Sequence, residues 1–216
     1  MSQELRWPVI LFDLDGTLAN SIDLIVGAFQ TVFRTIGRQL SRAEICRWIG
    51  EPLLETMRRE APSQADDLWA AYRAYHEVHL AEIVGYPGLP ELVTELGGAG
   101  AVLGVVTAKR HDAAGQTMTQ AGVNGLVDLV VAMEDTSAHK PDPEPLLVAV
   151  AKLDAPVEAC VYVGDSVYDI QAARAAGMAA VAVTWGAGLA DDLAALEPDA
   201  LCDDAAALRA ALLISS

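Results

Sequence analysis

Val9-Ile10-Leu11-Phe12-Asp13-Leu14-Asp15-Gly16-Thr17 is the stretch that decides how the rest of the chain is read. An apolar run with strand character ends in two carboxylates spaced two residues apart. On a continuing strand alternate side chains share a face, so Asp13 and Asp15 would point the same way. Gly16 then lets the backbone turn sharply. Two acids held together repel each other unless a cation or a shared proton intervenes. The stretch therefore predicts a metal site, or a nucleophile with a partner acid. The competing reading is a plain strand followed by an Asp-Gly turn, which asks nothing of the carboxylates.

The 216 residues suffice for one large domain or for a core with a smaller insert, and 53% hydrophobic content argues against disorder. No apolar run approaches the ~20 residues of a membrane span. Met1-Ser2-Gln3-Glu4-Leu5-Arg6 lacks the basic-then-apolar order of a secretory signal. Cys46, Cys160 and Cys202 form no CxxC pair and predict free thiols in a reducing cytoplasm. A formal charge of −16 would repel nucleic acid and anionic membranes, so an anionic substrate needs cations supplied locally. Lysine occurs only as Lys109, Lys140 and Lys152, whereas Arg34, Arg38, Arg42, Arg47, Arg58 and Arg59 cluster. Solvated helix faces paired with Glu44, Glu51 and Glu55 account for most of that cluster.

From Asn20 to Val84 the signals are helical. Asn20 or Ser21 caps a helix to about Ile36, with Gly37 as its stop. Ser41 and Glu44 make a capping box for a short second helix, Pro52 opens a third, and Gln64 to Leu80 reads as a fourth. After the turn Gly85-Tyr86-Pro87-Gly88 and a helix from Leu89 to Leu96, strand-like runs appear at Val102–Thr107, Leu126–Ala132, Ala159–Gly164 and Ala179–Thr184. Helical segments near Asp112–Ala121, Glu144–Leu153 and Asp169–Ala176 separate them. Short apolar strands alternating with helices predict an α/β fold: a Rossmann-like, doubly wound parallel sheet covered on both faces. Residues 1–17 and 85–216 would form this core, and residues 18–84 an inserted helical cap. Such sheets bind ligands at the carboxyl ends of their strands.

Three further polar clusters fall at strand ends. Thr107-Ala108-Lys109 offers a hydroxyl and backbone N–H groups to phosphate oxygens, or else Thr107 caps a helix. His139-Lys140-Pro141-Asp142-Pro143 fixes a lysine in a proline-stiffened loop. Gly164-Asp165-Ser166-Val167-Tyr168-Asp169 carries two acids four residues apart; alone, Asp165 could cap the next helix and Asp169 be a solvated acid in its first turn.

Taken in order, Asp13-Leu14-Asp15-Gly16-Thr17, Thr107, Lys140 and Gly164 to Asp169 resemble the four motifs of the haloacid dehalogenase superfamily of phosphohydrolases. The resemblance spans essentially the whole chain, and the helical block looks like that superfamily's small cap. Ile49-Gly50-Glu51-Pro52-Leu53 and Lys140-Pro141-Asp142-Pro143-Glu144-Pro145 are similar to strings of its phosphoglycolate phosphatase-like branch, which includes cytosolic pyrophosphatases. Asn20 departs from the acid often found there.

The resemblance implies a Mg2+-dependent phosphatase of a small phosphorylated metabolite, phosphoglycolate-like, with pyrophosphate as the alternative substrate. Asp13 would be the nucleophile that forms an aspartyl-phosphate, and Asp15 the acid and later the base. Asp13, the Asp15 carbonyl and Asp165 would hold Mg2+. Gly16, Thr17, Thr107, Ala108 and Lys140 would surround the phosphoryl group, with Ser166 and Asp169 in support. Hinges are expected at Leu18–Asn20 and Val84–Pro87, and Gly50-Glu51-Pro52 and Arg47 are expected to face the leaving group. A dehalogenase would need neither Asp15 nor Mg2+, and a ligand-binding protein would not need the full charged set. His76 and His79 read as an exposed helix face, and Trp48, Trp69 and Trp185 as packing residues. Oligomeric state is not legible.

Overall fold

The structure, a computed structural model, describes residues 3–215. A short β1 (Gln3–Leu5) precedes β2 (Val9–Phe12) and β3 (Ala19–Asn20). Four helices follow, α1 (Ile22–Arg34), α2 (Arg42–Cys46), α3 (Leu53–Glu60) and α4 (Ala65–His79), before β4 (Val84–Gly85). The rest alternates: α5 (Leu89–Gly98), β5 (Val102–Val106), α6 (His111–Gln120), β6 (Asp128–Val131), α7 (Glu144–Lys152), β7 (Cys160–Gly164) and α8 (Val167–Ala176). It ends with β8 (Ala179–Val183), α9 (Ala190–Ala194), β9 (Ala200–Cys202), α10 (Ala205–Leu212) and β10 (Leu213–Ser215).

Six strands form one sheet in the order β6-β5-β2-β7-β8-β9, all pairs parallel. β2 sits centrally, so its carboxyl end lies between those of β5 and β7. The order reverses on either side of β2, which is where an open α/β sheet leaves a crevice. Side chains alternate between two cores. Ile10, Phe12, Val105, Val161 and Val163 pack with α5, α6 and α10, while Val9, Leu11, Val106 and Tyr162 pack with α7 and α8. This double coverage explains why the strands read as continuous apolar runs.

The four helices have a core of their own around Phe29, Phe33, Ile45, Met57 and Tyr72. The Ser41–Glu44 capping box forms as predicted, and Gly37 ends the α1 turn with φ +77°. Ser21 precedes α1, but its hydroxyl makes no cap bond and turns instead to Asp15 Oδ1 at 2.5 Å. The chain leaves and re-enters the α/β core through β3 and β4, which pair antiparallel with Ala19 opposite Gly85 and Asn20 opposite Val84. The sequence patterns did not reveal the β1–β10 pair or β9.

No helix among the described residues is long and apolar enough to cross a membrane, and Cys46, Cys160 and Cys202 are free.

Candidate active site

The carboxyl ends of β2, β5 and β7 bring Asp13, Thr107 and Asp165 into one crevice, all three buried. Lys140 arrives from the loop before α7 and is 3% exposed, far from the ordinary surface lysine it resembles in isolation. Its Nζ donates to Asp13 Oδ1 at 2.9 Å, to Asp169 Oδ1 at 2.6 Å and to the Tyr162 hydroxyl at 2.9 Å. A buried ammonium with all three protons placed is held charged, since Asp13 and Asp169 outweigh the desolvation that opposes it. Asp169 is therefore no solvated acid. It is fully buried, and its second oxygen accepts from the Ser166 hydroxyl at 2.6 Å in a capping box that opens α8.

Asp165 does not cap α8, because Ser166 does. Instead its oxygens accept from Thr17 Oγ1 at 3.1 Å and from the Ala187 N–H at 2.6 Å. Thr17, expected at the phosphoryl group, thus orients a carboxylate. Gly16 has φ +83°, and a Cβ there would run into the Asp165 carboxylate. The turn after Asp15 therefore requires glycine twice over.

Asp13, Asp165 and Asp169 each offer an oxygen within 4.8 Å of the others. Burial raises the Asp13 carboxyl to about 7, with Asp169 adding to the rise and Lys140 opposing it. Burial likewise pushes Asp165 up, reinforced by Asp169 and Asp13. Clustered hard oxygens with more negative charge than one lysine offsets could hold a hard divalent cation.

Asp15 lies apart from this trio. Burial would raise its carboxyl, but Lys109 and Ser21 hold it below the usual range. Lys109 Nζ sits 2.7 and 2.9 Å from its two oxygens. At the end of β5 the Lys109 N–H donates to Thr107 Oγ1 at 3.1 Å, and Arg110 rather than Thr107 occupies the cap of α6.

A cleft of about 450 Å³ opens over these groups, between the strand ends and the four helices. Gly50 and Glu51 line it, and Gly50 packs tightly: a Cβ would come within 2.7 Å of Ser166 Oγ. Glu51 is engaged by Arg59 at 2.6 Å and by the Tyr168 hydroxyl at 2.7 Å. Arg47 is not among the lining residues; it is exposed, and its carbonyl accepts from the Tyr168 hydroxyl. Two further expectations change. His76 is buried and lines the cleft, while His79 remains half-buried beside Glu82. Trp69 also lines the cleft, whereas Trp48 packs on Phe29 and Phe33 and Trp185 donates to the Thr17 carbonyl. The side chains of Lys109 and Tyr162 had no signal in the sequence beyond the scarcity of lysine and a place inside an apolar strand.

Residues 10–183 match the model of the haloacid dehalogenase-like hydrolases. The chain belongs to that family. Its relatives include the pyrophosphatase PpaX of Bacillus velezensis, 35% identical over 90% of this chain and 91% of that one. PpaX of Listeria monocytogenes is 33% identical over 88% and 89%. Among solved structures, a haloacid dehalogenase-like hydrolase from Bacteroides fragilis superposes with a TM-score of 0.86 at 29% identity, covering 94% of this chain and all of that one. A predicted phosphoglycolate phosphatase from Haemophilus somnus gives 0.80 at 26% identity, over 92% and 94%.

Proposed function

We propose that this hydrolase is a Mg2+-dependent phosphatase of small phosphate monoesters, working through an aspartyl-phosphate. The observation that carries the proposal is Asp13 itself: a buried carboxylate at the central strand's end, fixed by Lys140 and flanked by Asp165. An Asp13 oxygen attacks phosphorus as the bond to the leaving oxygen breaks; Asp15, once the incoming phosphate draws Lys109 away, takes up a proton from the substrate's own P–OH group and passes it to that oxygen. Water then attacks the acyl phosphate, Asp15 takes the water's proton, and the Asp13–phosphorus bond breaks to release phosphate. Bound to Asp13 and Asp165, with the Asp15 carbonyl, Mg2+ would supply charge neutralisation and orientation. Thr107 and the following N–H groups hold phosphoryl oxygens, and Lys140 favours the ionised nucleophile and aims it. Residues 18–84 act as the cap that reads the leaving group. The identity to PpaX proteins favours pyrophosphate as a second reading.

The experiment is hydrolysis of acetyl phosphate with and without Mg2+, with trapping of the phosphoenzyme by borohydride reduction. Turnover that leaves no label on Asp13 would defeat the mechanism.

A further inference from the structure

The cleft is larger and less polar than its floor demands. A phosphoryl group seated at Asp13 fills one end of about 450 Å³, a volume in the range of sites for organic ligands, ~300–1,000 Å³. The wall opposite the floor carries Ile25, Leu53, Leu54, Trp69 and Tyr72. The Trp69 and Tyr72 rings are stacked, with centroids 5.4 Å apart and planes 8° from parallel.

The cations of the cleft are already engaged. Lys109 is bound to Asp15. Arg110 pairs with Glu134 and lies 3.6 Å from Asp112. Arg73, exposed, reaches Asp112 at 4.0 Å. A second phosphate or a carboxylate on the leaving group would enter beside apolar side chains and would have to compete with these carboxylates for each cation.

Of the buried polar atoms without a partner among the described residues, the one belonging to a cleft-lining residue is on the helical side. His76 is 7% exposed, and its Nε2 has no hydrogen-bond partner. An unsatisfied buried nitrogen costs roughly 1–3 kcal/mol, a cost that a polar atom of a ligand, or a water, reaching it would remove. Burial, aided by Lys109, lowers the imidazole to about 4, so at neutral pH it carries no charge and suits an uncharged partner.

From the cleft's size, its apolar wall and this unpartnered nitrogen, we infer that the enzyme takes phosphate esters of uncharged, ring-bearing alcohols. The ring packs on the Trp69–Tyr72 wall, and His76 hydrogen-bonds a polar atom on it. The inference rests on the reading of Asp13 as nucleophile. It departs from both phosphoglycolate and pyrophosphate in the leaving group.

The test is kcat/KM of the full-length, Mg2+-loaded enzyme for acetyl phosphate, phosphoglycolate, pyrophosphate, benzyl phosphate and 3-pyridylmethyl phosphate. The two ring-bearing esters are expected to exceed phosphoglycolate and pyrophosphate by about tenfold or more, the scale on which apolar pockets discriminate. Trp69→Ala, with Trp69→Leu as the gentler variant, should lower the ratio of benzyl to acetyl phosphate about tenfold. His76→Leu should erase the preference for pyridylmethyl over benzyl phosphate, and His76→Asn should restore it. A preference for phosphoglycolate or pyrophosphate would overturn the inference, as would an equal fall across all five substrates in the Trp69 variants. Acetyl phosphate turnover without ring preference defeats the inference alone. Failure to turn over acetyl phosphate, with no phosphoenzyme, defeats the phosphatase reading as well.

Discussion

Lys109 Nζ lies 2.7 Å from one carboxylate oxygen of Asp15 and 2.9 Å from the other, so the proposed acid rests as a clamped anion. An incoming phosphate ester competes for the same ammonium, and its arrival would free Asp15 to take part in proton transfer. Lys109→Met is expected to raise KM for anionic substrates by about 10- to 100-fold, the worth of a charged hydrogen bond. The kcat for a good leaving group such as acetyl phosphate should change far less. Steady-state kinetics decide this, and a loss confined to kcat would contradict it.

Asp13→Asn should remove turnover by on the order of 10⁴-fold or more while the chain still folds, since the amide keeps the shape but cannot form an acyl phosphate. Asp15→Asn should cost about 10²–10⁴-fold, and less for leaving groups that need no proton. Circular dichroism together with a leaving-group series separates the two. A slope against leaving-group pKa that is the same in wild type and Asp15→Asn would count against the acid role.

Metal binding should be visible without catalysis. The buried cluster of Asp13, Asp165 and Asp169 is self-repelling, so Mg2+ should raise Tm by binding the folded state alone, worth about 2.7 kcal/mol at a hundredfold excess over Kd. EDTA should abolish activity and Mg2+ restore it. Asp165→Ala should shift both the Tm response and the activity to higher Mg2+. Activity that persists through exhaustive chelation would remove the metal from the mechanism.

His76 gives a pH dependence of defined sign. Its folded value of about 4 lies below the unfolded value near 6.5. Between those values the unfolded chain takes up a proton that the folded chain refuses. Stability from this residue is intact above pH 6.5, falls as pH drops towards 4, and levels off below that. The urea midpoint of the wild type should therefore fall relative to that of His76→Asn as pH drops from 6.5 towards 4. Parallel curves over this window would mean the imidazole is not held neutral.

Tyr168 joins the helical segment to α8 through Glu51 and the Arg47 carbonyl. Tyr168→Phe should weaken that contact and raise KM for every substrate, whereas Arg47→Ala, altering an exposed side chain, should leave substrate ranking as it was. Substrate panels on the two variants check this; a reordering in Arg47→Ala would restore its side chain to the leaving-group site.

Much of this was legible in the chain because the relevant signals are local. Val9–Phe12 followed by Asp13 and Asp15 announces a buried strand ending in acids, and Ser41 with Glu44 announces a helix start; both rest on neighbours a few residues away. The misreading of His76 has the opposite character. It looks like a helix-surface residue from its own segment, and only packing near groups distant in sequence, Lys109 and Asp15 among them, buries it. Asp169 likewise looks solvated from its own segment, and its supporting place follows only from Lys140, 29 residues away. Arg47 fails for the same reason in reverse, since cationic charge in a helical block says nothing about which way the side chain faces. β9 and the β1–β10 pair are short, and three-residue strands carry too little alternation to stand out.

The pairing of β3 with β4 has a consequence for how such a molecule could diversify. Ala19 and Gly85 are neighbours across a ladder, and the Tyr86 N–H reaches the Leu18 carbonyl at 3.4 Å, so 65 intervening positions begin and end at one point. A segment tethered in this way behaves as a cassette. It can be lengthened, trimmed or exchanged for another helical unit by joining chain ends that already touch, with little change in loop-closure entropy for the remaining sheet. Selection for a new metabolite would then act on the cassette's inner wall, while Asp13, Asp165 and Lys140 keep their places in the sheet and its loops; Asp15, bonded to Ser21 of the cassette, would feel the exchange.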